Sequence, residues 1–97
     1  MRLILHHKVY SDIDKIMDYY EQADIPKLAD EFYEELRHFM MEAADRPESF
    51  SIRTRDIRRV NLQRFPYHFL FRIVGDVVRI LVVRHLSRHP SLGIKRR

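Results

Sequence analysis

The sequence predicts a single α+β domain with an N-terminal strand, an antiparallel pair of helices and a three-stranded antiparallel meander, in which the helices pack on one face of the sheet. Three observations support this fold class. The 97 residues suffice for one domain. The first half carries two amphipathic helical stretches, and the second half carries three short runs of β-branched and aromatic residues. We therefore assign residues 1–97 to one domain, with residues 86–97 as an irregular basic tail.

The first half of the chain begins with a predicted strand at residues 2–7. Ser11 is then the predicted N-cap of the first helix, with Asp12 and Asp14 in the first turn, where the helix dipole favours acids. The apolar stripe of this helix is formed by Ile13, Ile16, Met17 and Tyr20. A second helix is predicted from about 25 to 44, because Pro26 suits a first turn and apolar residues recur at spacings of three and four.

The second half of the chain predicts a three-stranded antiparallel meander. Residues 48–56 lack a clear period and are predicted to be loop. Strands are predicted at residues 57–62, 67–74 and 77–85, and the last two are joined by a two-residue turn at Gly75 and Asp76. Because the last strand is apolar on both faces except at its arginines, we expect it inside the sheet.

The two-residue turn also predicts which residues of the last two strands face each other. The helix-facing side is predicted to carry the pairs Ile73–Val78, Phe71–Ile80 and Phe69–Val82. The opposite side is predicted to carry Arg72–Arg79, Leu70–Leu81 and His68–Val83, with His85 at the far end.

Arg72 directly opposite Arg79 is an unusual pair, because like charges facing each other across two strands are destabilising. One interpretation is that both side chains reach solvent or pair with an acid from a loop or the tail. The other is that this face binds an anion, either phosphate or acidic residues of a partner.

Charge is divided unevenly along the chain. Residues 1–52 hold 6 Lys+Arg against 12 Asp+Glu, whereas residues 53–97 hold 12 Lys+Arg against 2 acids. The second half should therefore face an anionic partner such as RNA, an acidic peptide or an acidic protein surface. Arginines that could form a basic patch are Arg53, Arg55, Arg58, Arg59 and Arg64.

Several kinds of chemistry are not indicated. The chain has no Cys, and no run approaches the roughly 20 apolar residues of a membrane span. We therefore expect a soluble, cytoplasmic protein with no membrane partner. His85 and His89 straddle a strand end before Pro90, and His6 and His7 alternate faces of the predicted first strand, so we predict no metal site and no cofactor.

Some segments of the chain resemble the RelE/ParE superfamily of toxins, also called plasmid stabilisation proteins. Phe65-Pro66-Tyr67 followed by Phe71-Arg72-Ile73 is the most specific match, and His85 followed by Arg88 at the exit of the last strand is the second. Residues 29–36 and 57–60 also match the family pattern, so the resemblance covers nearly the whole chain.

The resemblance implies a bacterial toxin of a type II toxin–antitoxin system that is neutralised by a cognate antitoxin. Such an antitoxin lays a segment along the helix pair and the sheet. The expected groove residues are Ile16, Tyr20, Phe32, Leu36 and Phe39. The expected anion- or target-binding residues are Arg58, Arg59, Arg72, Arg79 and Arg84.

Two branches of the superfamily differ in target: RelE-like toxins cleave mRNA at the ribosome, and ParE-like toxins inhibit DNA gyrase. If the chain is RelE-like, the resemblance implies Arg72, Arg88 and His85 as catalytic residues. However, no Lys lies between Lys27 and Lys95 and no Tyr follows Tyr67, which leaves the RelE set incomplete. We therefore favour a ParE-like toxin without enzymatic activity; an inactive toxin-derived interaction module is a further alternative.

Overall fold

The computed structural model describes residues 1–89 and 91–96 and has the predicted α+β fold. Pro90 and Arg97, which belong to the predicted irregular tail, lie outside the described residues. The elements in chain order are β1 (Arg2–Leu5), α1 (His7–Gln22), α2 (Pro26–Asp45), a 3₁₀ turn (Pro47–Ser49), β2 (Ile52–Thr54), β3 (Ile57–Asn61), β4 (Tyr67–Val74) and β5 (Val77–His85).

The five strands form one mixed sheet in the order β1-β5-β4-β3-β2. β1 lies parallel to β5, and the other neighbours are antiparallel. β5 is an interior strand, as its apolar sequence predicts. Residues 52–54 were predicted to be loop, and this prediction is wrong: they form an exposed edge strand, which needs no apolar alternation because neither face is buried.

The helices cover one side of the sheet, which we call the front face. The main core lies there, and its largest fully buried side chains are Phe32 of α2 and Phe69 and Phe71 of β4. Val9 and Ile16 of α1 complete the contact between the helix pair and the sheet. None of the described helices is long and apolar enough to cross a membrane.

The N-cap of α1 lies five residues before the predicted position. The N–H of His6 still bonds to the carbonyl of Ile80 in β5, but its own carbonyl accepts from the N–H of Val9 at 2.8 Å, so the chain turns into the helix directly after β1. His6 is the N-cap, and its Nδ1 accepts a hydrogen bond from the N–H of Lys8 at 3.1 Å. Ser11 is therefore inside the helix, and its predicted capping role is wrong.

The pairing of β4 with β5 follows the predicted register only near the turn. Arg72 faces Arg79 and Phe71 faces Ile80, but an extra residue on β5 then shifts the partner of Leu70 to Val82. This β-bulge lets Leu81 and Val82 both be buried in one cluster. The remaining observed pairs are Phe69–Val83, His68–Arg84 and Tyr67–His85.

The bulge makes four predictions from the sequence wrong, and the first is the pairing of Leu70 with Leu81, since the observed partner of Leu70 is Val82. Phe69 does not face Val82, His68 does not face Val83, and His85 lies on the front side with Tyr67 rather than beside Arg72 and Arg79. Because side chains alternate across a strand, one inserted residue moves every later side chain to the other face.

The side of the sheet opposite the helices, which we call the back face, carries a second and smaller core. Ile57, Leu70, Leu81 and Val82 form it, and Ile94 of the tail packs against it. The back face is therefore covered by residues 91–96 of the chain rather than by a helix.

Candidate functional site

Four of the five predicted anion-binding arginines lie together on the back face. The strand register places Arg59 beside Leu70, Arg72 opposite Arg79, and Arg84 opposite His68. Arg58 faces the front side instead, where it pairs with Phe71 in the register and donates to the carbonyl of Phe50 at 2.8 Å. The structure thus brings four of these residues together and separates the fifth.

Arg72 is held by an acid from the turn between β2 and β3. Its Nε donates to Asp56 at 3.1 Å and its Nη2 donates to the same carboxylate at 2.8 Å. The hydrogen bond from Arg72 lowers the pKa of Asp56 below its ordinary value. This corresponds to the first interpretation of the Arg72–Arg79 pair, in which an acid from a loop compensates the charge.

Arg84 is buried and connects the back face to the tail. Its Nε donates to Nε2 of His68 at 2.8 Å, and its Nη1 donates to the carbonyls of His89 and Leu92. Burial, with a smaller effect of Arg59, lowers the pKa of this guanidinium. Within the isolated chain, Arg84 thus holds the tail and offers little surface to a ligand.

His68 is the acceptor that positions Arg84. His68 is only 2% exposed, and burial together with the nearby Arg59 and Arg84 lowers the pKa of its ring to about 4. The ring is therefore neutral near pH 7, which leaves Nε2 free to accept the hydrogen bond from Arg84.

Three further contacts fix the tail across the back face. Gly93, at φ +85°, lies so close to β5 that an added Cβ would be 2.5 Å from Cβ of Val82. Arg96 donates to the carboxylate of Asp12 at 2.6 Å and to the carbonyl of Leu81 at 3.1 Å. The same carboxylate accepts from the N–H of Val83 at 3.1 Å, so Asp12 links α1, β5 and the tail.

The tail leaves a cleft on each of its sides. One, of about 540 Å³, is lined by Arg55, Arg72, Ile94, Lys95 and Arg96. The other, of about 530 Å³, lies between the tail and the start of α1 and is lined by His6, His7, Lys8, Ser91, Leu92, Gly93, Lys95 and Arg96. Both clefts are rich in basic side chains, so both present positive charge to solvent.

His6 and His7 were predicted to lie on alternate faces of a strand, and this prediction is wrong. Their rings stack with centroids 4.3 Å apart, because the strand ends before them and the helix begins. Burial and the neighbouring His7 lower the pKa of His6.

The three catalytic residues implied by a RelE-like reading are not brought together. Arg72 lies near the β4–β5 turn opposite Arg79, while His85 and Arg88 lie at the other end of β5. Arg79 and His85 are about 20 Å apart at 3.3 Å per strand residue. His85 also faces the front side, with its ring 5.3 Å from that of Tyr67. Arg88 is exposed.

The described residues contain no group of three His, Cys, Asp or Glu side chains that could hold a metal ion. His85 and His89, the two histidines four residues apart, are each engaged locally. Nδ1 of His85 accepts from the N–H of Ser87 at 3.0 Å, and Nδ1 of His89 accepts from the N–H of Ser91 at 3.1 Å.

Three of the five expected groove residues are part of the front core. Ile16, Phe32 and Leu36 are buried against the sheet, so the isolated chain offers no surface there. Tyr20 and Phe39 are half-buried and keep some exposed surface. The large apolar side chains that the helices do expose are Tyr10, Tyr19, Tyr33 and Met41.

Sequence reasoning missed the residues that fasten the tail, chiefly Asp12, Gly93 and Arg96. Asp12 did carry a signal: it is three residues after Val9 and four before Ile16, so on a helix it lies on the buried side. An acid in that position needs partners, which tertiary contacts supply. Gly93 and Arg96 carry no comparable local signal.

Comparison with known proteins gives a consistent result. The sequence model of a family described as the ParE toxin of the type II toxin–antitoxin system parDE matches residues 3–90. Among solved structures, the chromosomal ParDE toxin–antitoxin system from P. aeruginosa contains a chain with a similar fold, at a TM-score of 0.78 and 22% identity. That match covers 88% of this chain and 95% of the other. A comparison with proteins of curated function finds no match. Since the family match spans most of the sequence, the chain belongs to the ParE toxin family of type II toxin–antitoxin systems.

Proposed function

We propose that this toxin arrests growth by binding a protein target, with DNA gyrase as the first candidate, and that it performs no chemistry itself. The observation that carries the proposal is the separation of Arg72 from His85 and Arg88 along and across the sheet. A ribonuclease needs its charge-stabilising and proton-transferring groups around one phosphate.

The proposed target surface is the back face around Arg59, Arg72 and Arg79. These side chains are half-buried, so they combine positive charge with a fixed position on the strands. A basic, ordered surface suits an acidic protein surface, because charge complementarity speeds association and fixes the orientation of the partners. Arg84 is buried on the same face and bonds to His68. Arg58 lies on the front side of the sheet, where it bonds to the carbonyl of Phe50.

We further propose that a cognate antitoxin neutralises the toxin and contacts the helix layer near Tyr20 and Phe39. Tyr19 is 64% exposed, with its ring 5.4 Å from that of Tyr20, so the two residues offer a continuous aromatic surface. Aromatic side chains provide much contact area with little loss of side-chain entropy.

Induced expression in bacteria tests the toxin proposal. The gene is expressed alone and with a neighbouring reading frame that encodes an acidic protein, and growth, RNA 5′ ends and supercoiling by purified gyrase are measured. We expect arrest without new message ends, inhibition of gyrase, and relief by the neighbour. New message ends inside codons would instead support the ribonuclease, and unimpaired growth would support an inactive interaction module.

One double variant and one matched pair of single variants sharpen these outcomes. The double variant His85→Ala/Arg88→Ala should remain toxic if these residues do not act as a ribonuclease, because neither belongs to the proposed target surface, provided that circular dichroism shows the fold intact. Tyr19→Asp should remain toxic but lose relief by the antitoxin. Tyr10→Asp is its control, since Tyr10 is similarly exposed at the other end of α1. Equal relief of both variants would contradict the proposed antitoxin contact.

A further inference from the structure

We infer that the cleft between the tail and the β2–β3 turn binds phosphate groups of a DNA duplex. This cleft is the one of about 540 Å³ lined by Arg55, Arg72, Ile94, Lys95 and Arg96. The inference goes beyond the proposed function, because it concerns a second ligand and does not depend on which protein the toxin binds.

The cleft holds more positive charge than its own acids neutralise. Asp56 pairs with Arg72 and Asp12 pairs with Arg96. Within residues 1–89 and 91–96, no carboxylate forms a salt bridge with Arg55 or Lys95. Two cations thus face the same open space, and a bound anion would relieve their mutual repulsion.

The walls of the cleft are already ordered. Arg96 is anchored by Asp12 and the carbonyl of Leu81, Ile94 packs on the back cluster, and Arg72 is fixed by Asp56. A ligand would therefore need to order only the Arg55 and Lys95 side chains. Pre-organisation of this kind lowers the entropy lost on binding.

The chemistry of the lining favours phosphate over other anions. Four of its five residues are Arg or Lys and the fifth is Ile94, so an acidic peptide would find little apolar surface for its other side chains. None of the described residues that line the cleft is aromatic, so they provide no stacking surface of the kind that single-stranded nucleic acids use. Contacts from Arg and Lys to the backbone of a duplex need neither feature.

The charge distribution also sets the orientation of the toxin on a duplex. Residues 1–52, which include both helices, carry twice as many acids as basic residues. This layer would be repelled by DNA while the back face would be attracted. The cleft should therefore approach DNA without sequence preference, since it offers charge and no set of groups matched to base edges.

Fluorescence anisotropy with a short labelled DNA duplex tests the inference, using the full chain between roughly 50 and 200 mM salt. We expect binding at low salt that weakens as salt rises. Arg55→Ala/Lys95→Ala should weaken it by roughly tenfold and reduce the slope of log K against log salt by about 2. The control is Lys27→Ala/Arg37→Ala, which removes the same charge from exposed positions of α2.

The possible outcomes distinguish DNA binding by the cleft residues from binding that depends only on the net charge of the protein. Weaker binding of the cleft variant alone supports the inference. Equal weakening by the control variant overturns it, as does an unmeasurable affinity of the original protein at low salt. Competition by polyglutamate that equals competition by unlabelled DNA would also overturn it, in favour of an acidic protein ligand. Growth arrest is measured on the same variants, so that a loss of DNA binding can be distinguished from a loss of the proposed toxin function.

Discussion

The two faces of the sheet are covered in different ways. On the front face, two helices bury a core that contains Phe32, Phe69 and Phe71, each 0% exposed. On the back face, only residues 91–96 cover a small apolar cluster, and they are held by polar contacts from Arg84 and Asp12. The front is stabilised by apolar burial, and the back largely by specific hydrogen bonds.

This difference separates the parts of the chain that specify the fold from those available for binding. The stabilisation from apolar burial scales with the buried area. Because the buried side chains of the front core are closely packed, this core tolerates best the substitutions that keep its volume. Hydrogen bonds and ion pairs contribute less individually and depend on position. The back face can therefore vary its charged residues at smaller cost, and the proposed target-binding and DNA-binding surfaces lie there, whereas the proposed antitoxin contact lies on the helices.

The largest effect should come from a cavity in the front core. Phe32→Ala removes a fully buried ring from α2 and should lower the free energy of unfolding by about 3–5 kcal/mol. Urea denaturation followed by circular dichroism measures it. Tyr33→Ala is the control, since that neighbouring side chain is 46% exposed, and it should change stability by less than about 1 kcal/mol. Equal losses would mean that the front core is not the main source of stability.

A smaller loss should follow from Asp12→Asn, which removes the charge that fixes the tail. The carboxylate accepts from Arg96 and from the N–H of Val83, and both members of the ion pair are about five-sixths buried. We expect a loss of about 1.5–3 kcal/mol and faster proteolysis after Leu86. Asp14→Asn, on the exposed side of α1, should leave both measurements nearly unchanged. Unchanged proteolysis in the Asp12 variant would contradict the fastening role of this residue.

Gly93→Ala tests the close approach of the tail to β5. The added Cβ would lie 2.5 Å from Val82, so the tail must shift, and the expected loss is about 1–3 kcal/mol in thermal unfolding. Gly75→Ala has a similar positive φ of +61° but no atom within 4 Å of the new Cβ. It should show only the backbone strain, about 1 kcal/mol. A loss at Gly75 as large as that at Gly93 would mean that contact with Val82 is unimportant.

The smallest effect should be a pH dependence that arises from the back face. The pKa of His68 is about 4 in the folded chain and near 6.5 when unfolded, so only the unfolded state takes up this proton between these values. Stability should therefore fall as the pH falls from 6.5 toward 4, by about 1 kcal/mol from pH 6.5 to 5.5.

His68→Gln provides the comparison for this titration, because its amide oxygen can still accept from Arg84. The variant should lose this part of the pH dependence while keeping most of its stability at pH 7. Denaturation midpoints measured across the pH range check the expectation. A profile that remains as steep in the variant would assign the titration to another group.

Local patterns in the sequence were sufficient for most of the fold. The helix pair, the strands at 57–61, 67–74 and 77–85 and the turn at Gly75 follow from hydrophobic periodicity and turn chemistry. The start of α1 could not be predicted from these local patterns. Ser11 and Asp12 look like a helix start, but His6 already accepts hydrogen bonds from the N–H groups of Lys8 and Val9, so the helix begins at His7.

The sequence by itself determined the fold class, the family resemblance and the basic second half of the chain, because each depends on residue types at short spacing. Only the tertiary structure decided which arginines share a face. The bulge at Leu81 and Val82 places Arg84 on the back face and His85 on the front, and it arises from packing across strands. It likewise decided that Asp12 meets Arg96, since residues 84 positions apart in the chain meet only after the sheet and helices have packed.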